Sequence, residues 1–252
     1  MSVPADDLSP RIRAVSLGRP DYEVERRADG SIVLRARAEL GAFPERMTDA
    51  LVEWAAREPE RTLFAARGAD GGWQHISYRE ALQKARSIGE ALLKRGLSAE
   101  RPVVIFSGND LDHAMLALAC MYAGIPYAPV LPAYSLISAD FAKLKQVMAL
   151  LTPGLVFASD GQQFHRAVMT AIPDGVEIVV SRHLPSGLSC TAFAELAETS
   201  ATAAIDSANA CVSGDTIAKF LFTSGSTGEP KAVINTGCGA PIRRWCGRRS
   251  RS

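Results

Sequence analysis

The chain has 252 residues, of which 47% are hydrophobic and 22% charged, values that fit one large or two small globular domains. The net charge is +1, but residues 237–252 contain five Arg and no acid, so residues 1–236 are mildly acidic and give no support for nucleic-acid binding. No apolar run reaches the roughly 18–20 residues of a membrane span, and the acidic N-terminus lacks the apolar core of a signal peptide.

Cysteine and histidine do not form a metal-binding pattern in this sequence. The five cysteines are odd in number and lack paired metal-ligand spacing, and the four histidines are scattered singly along the chain. The sequence therefore predicts a protein of the reducing cytoplasm without a structural zinc ion or other metal site. It gives no indication of the oligomeric state.

The N-terminal region predicts a β-hairpin followed by a short helix. The hairpin joins Tyr22–Arg26 to Ser31–Arg35 through the turn Asp29-Gly30, because Gly readily takes the positive φ that such a turn needs. The helix is expected to begin after Thr48 as its N-cap and to end before Pro59, since the residue preceding a proline disfavours the helical region.

A second hairpin and a long helix follow. The hairpin pairs Leu63–Arg67 with Trp73–Ile76 across a Gly-rich turn. Ser77 and Glu80 have the spacing of a capping box, in which each side chain accepts a hydrogen bond from the other residue's backbone N–H. The helix that they open shows apolar residues at helical spacing and is expected to end at Gly96.

The middle of the chain alternates short apolar strands with helices. Strands are predicted over 102–106, 127–130, 155–158 and 177–180, and helices over 111–123, from the N-cap Ser138 onward, and over 162–171. This alternation is typical of βαβ units and predicts an α/β protein with a mostly parallel sheet flanked by helices. Residues 199–209, rich in Ala, Ser and Thr, are interpreted as a connector.

The most informative stretch is Lys219–Asn235, in which the apolar runs 220–222 and 232–234 flank a loop of small and hydroxylated residues. Both runs are predicted as short buried strands. The loop, Thr-Ser-Gly-Ser-Thr-Gly-Glu-Pro-Lys, spans residues 223–231. Its glycines let the backbone approach a ligand closely, and successive N–H groups can form an anion-binding concavity. The candidate phosphate-binding residues are Thr223, Ser224, Gly225, Ser226, Thr227, Gly228 and Lys231.

Two other interpretations of this loop fit its residues less well. A flexible Ser/Gly surface turn does not need an apolar strand on each side, a rigid Pro230 and a Lys directly after it. A Walker-type loop requires Gly-Lys-Ser/Thr, whereas here Lys231 follows Pro230 and precedes Ala232. The pattern therefore favours a polyphosphate-binding loop of a different kind.

The loop resembles the phosphate loop of the adenylate-forming superfamily, which includes acyl-CoA synthetases, luciferases and peptide-synthetase adenylation domains. The resemblance covers about residues 15–236 and includes 76–82, 107–109 and 122–130. Three further segments, 132–135, 151–157 and 218–222, are similar to those of bacterial feruloyl-CoA synthetases. The fold implied is the N-terminal region of the adenylate-forming fold, present in incomplete form.

The resemblance implies an ATP-dependent carboxylic acid–CoA ligase that works through an acyl-adenylate, with ATP, Mg²⁺ and coenzyme A as cofactors and a hydroxycinnamate such as ferulate as the acid. By the same resemblance, residues 223–228 would bind the β- and γ-phosphates. Lys231 would take a catalytic role by offsetting charge on the departing pyrophosphate. A fatty or benzoic acid stays open as the substrate.

The resemblance ends at Thr236, and the family's adenine segment, ribose-binding Asp and C-terminal domain with its catalytic Lys have no counterpart in the sequence. Residues 1–236 are therefore expected to be a truncated, inactive AMP-binding domain with exposed apolar surface. Residues 237–252 are expected to be an Arg-rich, disordered tail. The tail could be a basic binding segment, a solvated terminus or out-of-frame translation, of which the last is favoured. The alternatives to a ligase fragment are a non-catalytic ATP- or polyphosphate-binding domain and an inert frameshift product.

Overall fold

The computed structural model describes residues 21–38, 44–68, 70–223 and 229–237. The chain divides into two compact units, residues 1–43 and residues 44–252. The strands are β1 (Tyr22–Arg26), β2 (Ile32–Ala36), β3 (Thr62–Arg67), β4 (Trp73–Ser77), β5 (Val103–Phe106), β6 (Tyr127–Val130), β7 (Leu155–Asp160), β8 (Glu177–Arg182), β9 (Thr191–Ala192), β10 (Ile217–Thr223) and β11 (Lys231–Thr236). The helices are α1 (Asp49–Arg57), α2 (Tyr78–Lys94), α3 (Leu111–Ala123), α4 (Pro132–Leu136), α5 (Ala142–Leu151), α6 (His165–Ala171), α7 (Phe193–Ala197) and α8 (Ala203–Ala210).

The first unit contains the antiparallel hairpin β1–β2, in which Val24 pairs with Leu34. Its turn places Gly30 at a φ of +82°, and the Asp29 carboxylate accepts a hydrogen bond from the backbone N–H of Ser31 at 2.9 Å. The predicted hairpin is confirmed, with β2 starting one residue later than expected.

The second unit is built on a seven-stranded sheet with the order β11-β10-β6-β5-β7-β8-β9. All neighbouring strands in it pair in parallel except β10 and β11, which pair antiparallel. The predicted α/β class with a mostly parallel, helix-flanked sheet is therefore confirmed. The hairpin β3–β4 forms a separate two-stranded sheet.

The central strand β5 shows why the sheet is covered on both faces. All four of its residues, Val103 to Phe106, are fully buried. Val103 and Ile105 pack in a cluster with α2, α3 and α8, whereas Val104 and Phe106 pack with α5 and α6 on the opposite face. A continuous apolar run is what a strand with helices on both sides requires.

The best-predicted helices are those with explicit boundary residues. Ser77 and Glu80 form the expected capping box, with the Ser77 N–H donating to the Glu80 carboxylate at 2.8 Å and the Glu80 N–H donating to the Ser77 hydroxyl at 3.3 Å. The helix α3 has the predicted bounds, and it ends at Gly124, which has a φ of +72°. Left-handed glycines are the commonest helix terminators.

The interpretation of residues 199–209 as a connector is wrong, because this stretch contains α8. Thr202 caps the helix by accepting a hydrogen bond from the Ala204 N–H at 3.2 Å. Ile205 is fully buried, and Asp206 and Asn209 bond to groups on other helices. This helix is held by one buried apolar residue and by polar side chains that bond to other helices. The sequence therefore shows little apolar periodicity, and its composition indicated a linker.

Several predicted helix starts are also corrected. Thr48 precedes α1 but its side chain does not cap it; the hydroxyl is buried and lies 3.4 Å from the Asn209 amide. Ser138 accepts a hydrogen bond from the Phe141 N–H at 3.1 Å, yet α5 begins only at Ala142. The helix α6 starts three residues later than predicted, at His165. The short elements α4, β9 and α7 were not predicted.

Some expectations cannot be compared with the structure. The Arg-rich segment 238–252 lies outside the described residues. Within the described parts of the chain, no helix is both long and apolar enough to cross a membrane.

Candidate phosphate-binding site

The predicted phosphate loop is framed by the antiparallel strands β10 and β11. Thr223 and Lys231 are register partners at the open end of this strand pair, so residues 224–230 connect two positions that the sheet holds side by side. Of the candidate site residues, the structure thus brings together the first and the last. Ser224, Gly225, Ser226, Thr227 and Gly228 lie outside the described residues.

The position of β10 in the sheet determines which edge the loop leaves from. Lys219 of β10 pairs in parallel with Tyr127 of β6. Thr223, the last residue of β10, therefore lies at the edge formed by the carboxyl ends of the parallel strands. Open α/β sheets bind their ligands outside this edge, so the loop begins where the fold class expects a ligand.

The two strands are less buried than the sequence suggested. Ala218 is buried, but Leu221 is 37% exposed and the other apolar residues of β10 and β11 are half-buried. These strands are only partly buried because they lie at the end of the sheet, where β11 is the outermost strand in the described residues. Phe220 and Phe222 still pack on the cluster that contains α5 and α6.

The charged end of the site is open to solvent. Thr223 and Lys231 are both exposed, and the Lys231 ammonium has no carboxylate partner within 4.0 Å among the residues that the structure describes. A lysine in this state keeps its charge available for a bound anion. An open, mainly apolar groove of about 610 Å³ lies beside it, with walls that include Ala232, Ile234 and Leu150.

A second set of polar residues at the same edge was only partly foreseen. Asp110 directly precedes α3, and its carboxylate accepts a hydrogen bond from the Asp112 N–H at 2.9 Å. It also forms an ion pair with Arg182 at 3.0 Å, which sequence reasoning missed. The available signal was that Asp110 lies four residues after the apolar run that ends at Phe106, and Arg182 lies two residues after the strand predicted over 177–180. Burial raises the pKa of the Asp112 carboxyl above its usual value.

The neighbouring strand β7 ends in another carboxylate. Asp160 accepts hydrogen bonds from the backbone N–H groups of Gln162 and Gln163, each at 3.0 Å, and contacts the His183 ring nitrogen at 2.8 Å. Burial opposes the charged form, but these hydrogen bonds outweigh it and lower the pKa of Asp160. In the described residues no group of three or more His, Cys, Asp and Glu side chains is arranged to hold a metal ion.

Comparison with solved structures supports this fold. The luciferase-like enzyme of the mealworm Zophobas morio superimposes on 79% of the chain with a TM-score of 0.61 and 18% identity, and the matched part is 44% of that enzyme. A fatty acyl-adenylate ligase from L. pneumophila matches 76% of the chain with a TM-score of 0.54, 19% identity and 30% of its own length.

Sequence comparison gives relatives of the same kind. A medium/long-chain fatty acid–[acyl-carrier-protein] ligase of Mycobacterium tuberculosis is 27% identical over 76% of this chain and 33% of its own length. A CoA ligase of Rhodococcus jostii is 26% identical over 66% of this chain and 33% of its own length. The chain thus spans about a third of the length of these relatives. The model of the family described as AMP-binding enzyme matches residues 51–239. The chain therefore belongs to the AMP-binding enzyme family.

Proposed function

We propose that this chain supplies the triphosphate-binding part of an ATP-dependent carboxylic acid–CoA ligase that works through an acyl-adenylate. The observation that carries the proposal is the pairing of Thr223 with Lys231 at the carboxyl edge of the sheet. This pairing holds together the two ends of the segment Ser-Gly-Ser-Thr-Gly-Glu-Pro, which is mostly Ser, Thr and Gly.

In this proposal the backbone N–H groups and hydroxyls of residues 223–228 hold the β- and γ-phosphates of ATP. Lys231 offsets the negative charge that builds up on the leaving pyrophosphate. Donors that are already aimed at the developing charge need not reorganise during reaction, and removing one typically raises the barrier by about 2.7–4 kcal/mol. Mg²⁺ would enter with ATP, and coenzyme A would accept the acyl group; no residue of this chain is assigned to either.

For the acid we propose a hydroxycinnamate such as ferulate. The support is the similarity of 132–135, 151–157 and 218–222 to feruloyl-CoA synthetases. The relatives found act on other acids by name, one on medium- and long-chain fatty acids and one on a fused-ring propanoyl compound. Direct comparison of ferulate with benzoate and a fatty acid is therefore the appropriate test of the acid.

We also assign residues 1–236 to the AMP-binding region and residues 237–252 to a segment of different composition. The free thiols of Cys120, Cys190 and Cys211 are consistent with a reducing, cytoplasmic setting.

The first experiment measures ATP binding to the 252-residue chain by calorimetry, together with Lys231→Ala and Lys145→Ala. Lys145 is an exposed lysine on α5, so it controls for a general loss of positive charge. We expect saturable binding that is lost in Lys231→Ala and kept in Lys145→Ala. Binding that is absent, or that is unaffected by Lys231→Ala, contradicts the proposed site.

The second experiment measures ATP–pyrophosphate exchange with ferulate, benzoate or a fatty acid. Because the family's adenine and ribose segments have no counterpart in these 252 residues, we expect ATP binding without exchange from this chain alone. Ferulate-dependent exchange by the chain would show that it is catalytic by itself. Exchange that requires a fatty acid instead would contradict the choice of ferulate.

A further inference from the structure

The sheet has a switch point that is separate from the phosphate loop. After β5 the chain continues through α3 to β6, and after β7 it continues through α6 to β8. These two connections leave in opposite directions and cover opposite faces of the sheet, since α3 and α6 belong to different core clusters. The carboxyl ends of β5 and β7 therefore border a crevice, which is the preferred ligand position in open α/β sheets.

A polar groove of about 470 Å³ lies next to this crevice. It runs between the hairpin β3–β4, the start of α3, the end of β8 and the exposed side of α2. Four of its wall residues carry or can carry positive charge, and they come from the four elements β3, β4, α2 and β8: Arg67, His75, Lys84 and Arg182.

The charges of this groove favour an anion. Of its two carboxylates, Asp110 is already paired with Arg182 at 3.0 Å and caps α3. The other, Asp112, is half-buried, and burial raises its pKa and disfavours its charged form. Lys84 is exposed and has no carboxylate within 4.0 Å among the described residues. The Arg67 guanidinium lies 4.6 Å from the centre of the Trp73 ring and donates to the Gly71 carbonyl at 2.9 Å, so it is held in place with donors to spare.

The groove continues into an apolar one on the other side of residues 109–111. This second groove has a volume of about 390 Å³, and its walls include Phe64, Leu111, Ala114 and Ala117. Because the two grooves share Asn109, Asp110 and Leu111, one molecule could place a charged group in the polar part and a hydrocarbon or ring in the apolar part.

We propose that these two connected grooves, here called the switch-point cleft, bind a small organic anion. Its carboxylate or phosphate lies between Lys84 and Arg67, and its apolar body lies against Phe64 and Ala114. The cleft is distinct from the proposed ATP site, because β6 lies between β5 and β10, the strand that ends at Thr223 where the loop begins.

The test titrates the 252-residue chain with benzoate, phenyl phosphate and inorganic phosphate and follows binding by NMR. We expect benzoate or phenyl phosphate to shift the resonances of residues 109–111 and of Phe64. Whichever binds more tightly identifies the anionic group as carboxylate or phosphate. Lys84→Ala should weaken that binding about tenfold, the loss expected for one charge-assisted hydrogen bond. Lys145→Ala and Lys231→Ala should leave it unchanged.

Four results would overturn the proposal. The first is no saturable shift at residues 109–111 with any probe. The second is equal affinity of wild type and Lys84→Ala. The third is inorganic phosphate binding as tightly as phenyl phosphate, which would mean that the apolar part is not used. If Lys231→Ala alone abolishes binding, the probes report the phosphate loop and the cleft is again excluded, whereas the ATP proposal would survive.

Discussion

Thr223 and Lys231 lie side by side as the outermost register pair of β10 and β11. The pair defines the distance that the connecting residues must span, and it places Lys231 beside Thr223, which precedes the Ser/Thr/Gly segment. The role of Lys231 in anion binding can be tested separately from its role in strand pairing. Its side chain is exposed and makes no ion pair among the described residues.

We predict that Lys231→Met lowers ATP affinity about tenfold or more without changing the free energy of unfolding by more than roughly 0.5 kcal/mol. Methionine keeps the apolar stem beside the groove and removes only the charge. Lys231→Arg should retain most of the affinity, and Lys145→Met serves as the control. Calorimetric titration and urea unfolding give the two quantities; a variant that loses stability and affinity together would point to a structural role instead.

We predict that Ser77→Ala destabilises the protein by about 1 kcal/mol, the usual cost of losing an N-cap. The Ser77 hydroxyl and the Glu80 carboxylate satisfy backbone donors of one another at the start of α2. Glu80→Ala should cost a similar amount. Because both changes break the same box, the double variant should lose less than the sum of the two single variants in urea unfolding. Strict additivity would show that the two hydrogen bonds act independently.

The elements that were predicted well carry their boundary signals in the sequence itself. The helix α3 was placed correctly because the turn residues 107–109 precede it and Gly124 ends it. The strand β5 was recognised because residues 102–106 form a continuous apolar run, which is what a strand buried on both faces requires. In each case the deciding interaction lies within a few residues along the chain, so a single sequence contains it.

What was missed depends on contacts between distant residues. The helix α8 is held by bonds to groups more than 80 residues earlier, such as that from Asn209 to Tyr122. The switch-point cleft combines side chains from β3, α2, α3 and β8. The candidate phosphate loop was predicted from its residues and its resemblance to a family, whereas the position of its first residue, Thr223, at the carboxyl edge of the sheet became known only from the pairing of β10 with β6.

We predict that Asn209→Ala destabilises the protein by about 1–3 kcal/mol, because it leaves buried partners unsatisfied. The Asn209 amide donates to the Tyr122 carbonyl at 2.9 Å and lies 3.4 Å from the Thr48 hydroxyl. Ser207→Ala is the matched control, since Ser207 is an exposed residue of the same helix and should change stability by less than about 0.5 kcal/mol. Equal effects of the two changes in thermal or urea unfolding would contradict the anchoring role of Asn209.

We predict that Gly161→Ala is destabilising by about 1–3 kcal/mol, the range for overpacking, whereas Gly108→Ala is nearly neutral. A Cβ at Gly161 would lie 2.5 Å from the His183 carbonyl oxygen and 2.6 Å from Pro185. A Cβ at Gly108 would meet no atom within 4 Å. Both glycines follow strands at the same edge of the sheet. The difference between the unfolding midpoints of the two variants therefore measures the cost of the steric clash at residue 161. If Gly161→Ala leaves the free energy of unfolding unchanged, the loop around His183 can move to accommodate the added Cβ, which would contradict the prediction.

The last prediction concerns the pH dependence of stability at the contact between α2 and α8. Hydrogen bonds from the Arg86 guanidinium, at 2.9 Å from its Nε, hold the pKa of Asp206 below its usual value. The Tyr122 hydroxyl donates to the same carboxylate at 3.1 Å. A carboxyl whose pKa is lower in the folded state stabilises the protein above its unfolded pKa of about 3.9. This contribution is lost as the pH falls through the folded pKa.

Asp206→Asn should therefore be less stable than the wild type at pH 7, by roughly 1 kcal/mol or less because the ion pair is partly exposed to solvent. The difference should shrink as the pH is lowered below about 4. Urea unfolding of both proteins between pH 7 and pH 3 measures this difference in stability. High salt should reduce the difference, because exposed ion pairs are screened. A difference that stays constant across this range would mean that the Asp206 carboxylate does not stabilise the contact through its charge.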